Sequence, residues 1–487
     1  MAMLLATAAT SACGYKAAPS KGGGQISEAR AARTVEPTPG DVDVPAGYDI
    51  ELVARGLTFP TGIAFGDDGA MYVVESGYSY GEVLARPRVV VLDPESGAIE
   101  REVATGTHGP WNGIAFHDGA LFVSQGGATE QLGRVARIAL DGTERVLVDK
   151  LPTGDHHTNG PIIVDGWVYF TQGAATNSGV VGPDNYDFGW LKRAPRFHDV
   201  PCKDVTLVGT NFESDNPLTE DGGDKVTTGA YLPFGTPSTA GQVIEGALPC
   251  TGAVMRVRPD GSDLELVAWG MRNPFGMAEG LDGIYVTDNG YDTRGSRPVF
   301  GAPEVLWKLE PGAWYGWPDF VAGEPIKADA YAEAEGDPHG FILASHPGKV
   351  PVPRALLPVH GSANGFDIAR DDAFGHRGQA FVALFGDMAP PVGKVIGPVG
   401  FEVVRVDLDT GIYRDFARNH GDAAGPASKL SSKGLERPVA VRFDPSGEAL
   451  YVVDFGVVRM TDKGAQPEPA TGAVWRITRE ETGRAEN

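Results

Sequence analysis

The sequence predicts an all-β protein, and within that class a six-bladed β-propeller with long inter-strand insertions. Three observations carry this. A short motif recurs six times, glycine and proline counts of 67 and 37 favour turns over long helices, and strand-like segments near the two chain ends would complete one blade together.

The copies are "FPTGIAFGDDGAMYVVESG" from Phe59, "PWNGIAFHDGALFVSQGG" from Pro110 and "HTNGPIIVDGWVYFTQGA" from His157. They continue with "MRNPFGMAEGLDGIYVTDNG" from Met271, "SANGFDIARDDAFGHRGQAFVALFGD" from Ser362 and "LERPVAVRFDPSGEALYVVDFG" from Leu435. Each has a Pro or Asn, a small residue, a short apolar strand, an Asp-Gly-type turn, a second strand rich in Val and Tyr or Phe, and a polar residue. Two short strands around a tight turn form a hairpin, which cannot hide its apolar faces alone. Radial stacking around an axis hides them. Uneven spacing leaves long inserts at about residues 175–255 and 318–360. "YDIELVARGL" from Tyr48 and "TGAVWRITRE" from Thr471 would join the chain ends in one blade and remove an exposed edge.

At 487 residues the length alone suggests about three domains, although all-β architectures often keep long chains in one unit, and a hydrophobic fraction of 42% allows a large core. The formal charge of -23 repels phosphate backbones, so no nucleic-acid partner is expected and neutral small molecules fit better.

The start, "MAMLLATAATSACGYK", is a short apolar run with small residues ending at Cys13. It resembles the end of a bacterial lipoprotein signal, with Cys13 the lipidated residue; a frayed or mis-started terminus is the alternative. Residues 14–45, rich in Ala, Gly, Ser, Lys and Pro, read as a flexible tether. The propeller is expected over 46–478, followed by a tail over 479–487. With Cys13 set aside, Cys202 and Cys250 remain as an even pair. In an oxidising compartment they would close a loop worth roughly 3–4 kcal/mol; two separate buried thiols are the other reading.

In a propeller, each innermost strand begins at one end of the channel and the next strand returns there. Residues before the first strand and after the second therefore gather at one mouth. Before stand Trp111 with Asn112, His157 with Asn159, Arg272 with Asn273, His360 with Asn364, and Arg437. After stand Glu75, Gln125, Gln172, Asp288 and Asp454. The asparagines and carboxylates could instead serve turns and neighbouring backbone. A channel-facing guanidinium needs an anion, so Arg272 and Arg437 point to function. His156 and His157 as transition-metal ligands fit poorly: adjacent strand residues face opposite sides, and no H-E-x-x-H or C-x-x-C spacing is present.

"WGMRNPFGMAEGLDGIYVTDNG" followed by "APEVLWKLEPGAWYGWP", together with "DHHTNGPIIVDGWVYFTQG", resembles the glucose/sorbosone dehydrogenase family, closest to its sorbosone-dehydrogenase-like branch. These are six-bladed propellers related to soluble dehydrogenases that use pyrroloquinoline quinone (PQQ). The resemblance spans about residues 48–478. It implies oxidation of a sugar or alcohol hydroxyl by hydride transfer to the quinone, with an external quinone, cytochrome or dye as electron acceptor. It implies His157 as the base, Arg272 polarising the quinone oxygen beside Asn273, and Arg437 binding a cofactor carboxylate. His108 falls near the family's cofactor-contacting glutamine, and Lys394 is matched to its lysine. Calcium is the implied metal: Gly290 and Tyr291 carbonyls would hold the cofactor's ion, and Glu304 with Tyr315 a second one. Val439 stands where the family has a second arginine, and "YDTRGSRPVFGAPE" where the glucose enzyme has an acidic turn.

Two other readings stay open. A calcium-dependent lactonase-like hydrolase would use Glu75, Asp288 and Asp454 as metal ligands, and a non-enzymatic cell-surface propeller would bind without turnover. The expected location is the periplasm or outside the cell, with a membrane tether through Cys13. No C-x-x-C-H motif for a c-type haem is present.

Overall fold

A computed structural model describes residues 36–480 apart from 80–81, 84, 128–131, 153, 220–222, 334–335, 388–397 and 462–463. Cys13 and Lys394 lie outside the described residues. Six antiparallel sheets, five of four strands and one of five, form the blades. Their inner strands are Pro60–Phe65, Trp111–His117, Thr158–Val164, Pro274–Gly280, Ala363–Ile368 and Pro438–Phe443, numbered here as blades 1 to 6. Each packs beside the next, and the last beside the first, so the ring is closed. The six repeats are thus the six inner hairpins.

The second strands explain why their sequences read as nearly continuous apolar runs. Met71–Glu75, Ala120–Gln125, Trp167–Gln172 and Ala449–Asp454 are buried at every position, because both faces of these strands pack against neighbouring blades. Ring closure is as the sequence predicts: Tyr48–Leu57 pairs with Gly472–Arg479, which in turn pairs with Ala449–Asp454. Among the described residues no helix is long and apolar enough to cross a membrane.

The expected tether boundary is displaced. Val42–Asp43 adds a fifth strand to blade 5, pairing with Asn419 and Arg418. Val42 is buried, and the Asp41 carboxylate accepts from Lys433 N at 2.7 Å. One apolar side chain and a few long-range hydrogen bonds to residues 418–433 fix residues whose composition resembles a linker.

The small residue of the repeat has a single cause. Gly62, Gly113, Gly160, Gly276, Gly365 and Ala440 occupy the third position of the six inner strands, and the ladder to each second strand slips beside that position. These are bulges that crowd the axis. A Cβ on Gly113 would lie 1.8 Å from the Gly160 carbonyl oxygen, and one on Gly276 would lie 2.5 Å from that of Asn364. At Gly113 and Gly276 a side chain would overlap the backbone of the neighbouring blade, whereas at Gly62 the nearest atom is 3.3 Å away.

Two inserts build over the blades. The first, between the second and third strands of blade 3, carries the Cys202–Cys250 disulfide, with Cα atoms 5.0 Å apart. The second lies between the third and fourth strands of blade 4. It is anchored by the fully buried Arg297–Asp319 pair at 3.0 Å, with Asp319 also accepting from Ile342 and Leu343 N–H groups.

Candidate active site

The carboxylates that end the second strands turn back into their own blades. The amides just before the inner strands lie beyond the ladder and have no partner in it, and buried amides need acceptors. Glu75 accepts from Thr58 N at 2.5 Å, and Asp288 accepts from Arg272 and Asn273 N at 3.1 and 2.7 Å. Asp454 accepts from Glu436 and Arg437 N at 2.7 and 2.8 Å. These three therefore act as backbone clasps, and the lactonase-like reading loses its proposed ligand set.

The asparagines do more than shape turns. Asn159 directs its Nδ2 to the carbonyls of His157 and Pro274, at 3.2 and 3.5 Å, so its Oδ1 must accept. Asn112 Nδ2 donates to that oxygen at 3.3 Å and lies 3.4 Å from His157 Nε2. The imidazole is thereby assigned its lone pair at Nε2. Burial lowers the His157 pKa to about 4, with Asp155 opposing the shift, so the ring is neutral at working pH. His156 is pinned differently, its Nδ1 2.9 Å from the Ala174 carbonyl, and burial and then Arg272 push its pKa down to about 3.

Arg272 is buried and held on two sides. Its Nε donates to Asn177 Oδ1 at 3.1 Å and its Nη2 to Asp292 at 2.7 Å. Asp292 also meets Arg294 Nε at 3.0 Å and lies 3.7 Å from His360 Nδ1. Arg294 in turn pairs with Asp155, and with Asp184 at 2.8 Å. One cluster, buried apart from the half-exposed Asp292 carboxylate, thus sets three carboxylates against two guanidiniums and joins blades 3 and 4 to the insert. Burial alone would raise the carboxyl pKa of Asp155 and Asp292; the arginines outweigh it and hold both below the usual range. Sequence reading missed Asn177, Asp292 and Arg294. The available signal was the run "YDTRGSR", two arginines and an aspartate where an acidic turn was expected.

A second chain of amides leads to Asn273. Asn289 gives its Nδ2 to Glu304 Oε2 at 2.9 Å and the Ala363 carbonyl at 2.8 Å, so its Oδ1 must accept. Asn273 Nδ2 donates to it at 2.7 Å, which leaves Asn273 Oδ1 buried with no partner among the described residues. An orphaned amide oxygen beside Arg272 fits a site that receives a polar ligand.

The remaining expected residues divide. A small cavity is lined by Arg272, Gly290, Tyr291 and Tyr315, but not by Glu304. Glu304 Oε2 instead lies within 3.3 Å of the Gly290 and Ala363 N–H groups, and burial raises its pKa to about 7. Gly290, Tyr291 and Tyr315 thus meet at one cavity while Glu304 works in the seam between blades 4 and 5. Among the described residues no group of three or more Asp, Glu, His or Cys is arranged to hold a metal. Arg437 lies between the rings of Phe385 and Phe401, its Nη1 on the Phe385 and Gly386 carbonyls at 3.3 and 3.1 Å. His108 is half-buried, and burial followed by Arg134 lowers its pKa.

Beside Arg437, burial and the neighbouring Asp454 carboxylate raise Glu436 to about 8. The folded state then keeps a proton that the unfolded chain loses near its ordinary value of 4.5. This contribution to stability is complete below about 4.5 and is lost as pH rises through about 8. His156 and His157 act oppositely, costing stability as pH falls below 6.5. The melting temperature should therefore fall between pH 6.5 and 8.5. Glu436→Gln, whose amide can keep both contacts to Ser428, should shrink that fall. Thermal unfolding across pH measures it, and an unchanged slope in the variant would reject the assignment.

No family model matches the sequence, and no curated protein matches it in sequence comparison. Solved structures do match in shape. The PQQ domain of pyranose dehydrogenase from Coprinopsis cinerea aligns at a TM-score of 0.53 and 16% identity, over 90% of this chain and 97% of that one. The calcium structure of a Trichoderma reesei carbohydrate-active enzyme of family AA12 aligns at 0.54 and 14%, over 92% and 99%. A glucose dehydrogenase aligns at 0.50 and 14%, over 88% and 98%. Over about nine-tenths of its length, the chain shares the propeller fold of these proteins.

Proposed function

We propose that this chain is a PQQ-dependent oxidoreductase that oxidises a hydroxyl or aldose-type group of a sugar or alcohol, with His157 as base. The observation that carries this is a neutral imidazole whose Nε2 lone pair is fixed by Asn112, one blade away from a guanidinium fixed by Asn177 and Asp292. The shape likeness to a pyranose dehydrogenase PQQ domain supports the same reading.

In this reading the substrate hydroxyl replaces the long Asn112 contact at His157 Nε2 and gives its proton to that atom, and the carboxylate of Asp155 favours the resulting imidazolium. Arg272 supplies a positive charge that need not reorganise. Asn273 Oδ1 accepts a ligand hydrogen bond. The quinone, when bound, supplies the two-electron acceptor. Gly290 and Tyr291 carbonyls would hold a calcium ion beside it, and Arg437 and His108 the more distant cofactor groups. The second calcium, at Glu304 and Tyr315, is not supported by the three N–H groups gathered around Glu304 Oε2. An external acceptor takes the electrons. Location outside the cytoplasm, with lipid attachment at Cys13, is part of the proposal; the disulfide supports an oxidising compartment.

The test is direct. The metal-free protein is titrated with PQQ in the presence of calcium, followed by cofactor absorbance, and then offered sugars and alcohols with a dye as acceptor. Saturable quinone binding and substrate-dependent dye reduction are expected. Binding to sugar without turnover, or lactone hydrolysis without quinone, would replace the reading with the binding module or the hydrolase.

A further inference from the structure

We infer that Asn177, carried by the insert of blade 3, is the positioning residue for Arg272, and that Asp199 beside the Cys202–Cys250 bridge holds Asn177 in place. The inference rests on the reading of Arg272 as a ligand-facing cation. Blade 4 fixes the Arg272 backbone through Asp288 and its Nη2 through Asp292, which itself sits on a loop held by Asn177. The guanidinium Nε is held from the insert, 95 residues earlier in sequence.

Asn177 uses its whole amide. Its Oδ1 accepts from Arg272 Nε at 3.1 Å and Asp292 N at 2.9 Å. Its Nδ2 donates to the Asp292 and Arg294 carbonyls at 2.8 and 3.1 Å. Two acceptor sites and two hydrogens are all an asparagine amide has. Its own carbonyl also accepts from Trp317 Nε1 at 3.3 Å. Aspartate would set a carboxylate against two carbonyls, and glutamine would overreach; alanine would leave Arg272 Nε only the Asn177 main-chain carbonyl at 3.3 Å and take the amide from the Asp292 loop. One side chain therefore fixes both the guanidinium and the loop carrying Asp292, its counter-ion.

The insert is itself braced. Asp199, buried, accepts from Ala175 N at 2.6 Å, Thr176 Oγ1 at 2.5 Å and Thr251 Oγ1 at 3.0 Å. Thr251 follows Cys250, and Asp199 lies three residues before Cys202. The bridge thus ties together the two chain segments that grip the turn leading into Asn177. A guanidinium ordered before binding loses less freedom when a ligand arrives.

Arginine side chains labelled with 15N at Nε report on this in the unliganded protein. The Arg272 Nε–H should exchange with water far more slowly than that of Arg370, whose side chain is 60% exposed. In Asn177→Ala, which keeps only the longer main-chain contact to Nε, this protection should fall by at least about tenfold while the Arg297 signals stay in place. PQQ affinity should weaken by roughly 10- to 100-fold, as when a ligand-orienting partner is removed. Equal exchange at Arg272 and Arg370 in the wild-type protein overturns the inference even if the variant does not fold, and so does unchanged protection in Asn177→Ala. A wild-type protein that binds no quinone sinks the functional reading instead, and the exchange result still decides the role of Asn177.

Discussion

Replacing Arg294 by methionine should destabilise the protein by about 3–5 kcal/mol, the cost of leaving buried charges without their partner. Arg294 is 8% exposed and faces Asp155, Asp184 and Asp292. Methionine fills part of the volume and none of the charge, leaving three carboxylates with Arg272 alone. Such groups escape by taking up protons, and burial already raises Asp184 above its ordinary value. The unfolded chain gains no comparable proton at pH 8, so the loss should be larger at pH 8 than at pH 5. Arg294→Met/Asp184→Asn should recover part of it, because one repulsive partner is gone and the pair is coupled. Urea or thermal unfolding of the four proteins closes the cycle. A cost under about 1 kcal/mol, the range of exposed pairs, would mean that water solvates these carboxylates.

The fold was legible because each repeat carries its own complete signal: an apolar run, an Asp-Gly turn and a second run too apolar for a half-exposed strand. Tyr48–Leu57 and Gly472–Arg479 were recognisable because both were strand-like and unpaired nearby. What the repeat did not reveal was why its third residue is small, since the crowding at Gly113 comes from Gly160 in another blade. The same limit governs the site. His157 and Arg272 stand out by their place before a strand, which is local information. Asn177 and Arg294 act across 95 and 110 residues, on partners that only the closed ring and its insert bring near. Asp288 and Asp454 could have faced the mouth or the backbone. The amides just before the inner strands decided it, because they lie beyond the ladder and need acceptors.

Removal of the His157 imidazole should cut substrate-dependent dye reduction by roughly 10²–10⁴-fold, the usual contribution of a placed general base. His157→Ala should leave PQQ affinity within a few-fold, since Arg272 and Arg437, the cations proposed to hold the cofactor, are untouched. The pH profile separates this from a structural effect. A base must be unprotonated to act, and burial holds His157 near 4, so activity should fall only as pH drops through about 4, not through the ordinary 6.5. His156 is the necessary comparison, being next in sequence and depressed further, to about 3. Its Nδ1 is committed to the Ala174 carbonyl, and Arg272 opposes any positive charge on it. His156→Gln should therefore retain most of the turnover that His157→Ala loses. If the two variants are affected in the reverse order, the proton acceptor is His156, and the asparagine pair that orients His157 serves only to join blades 2 and 3.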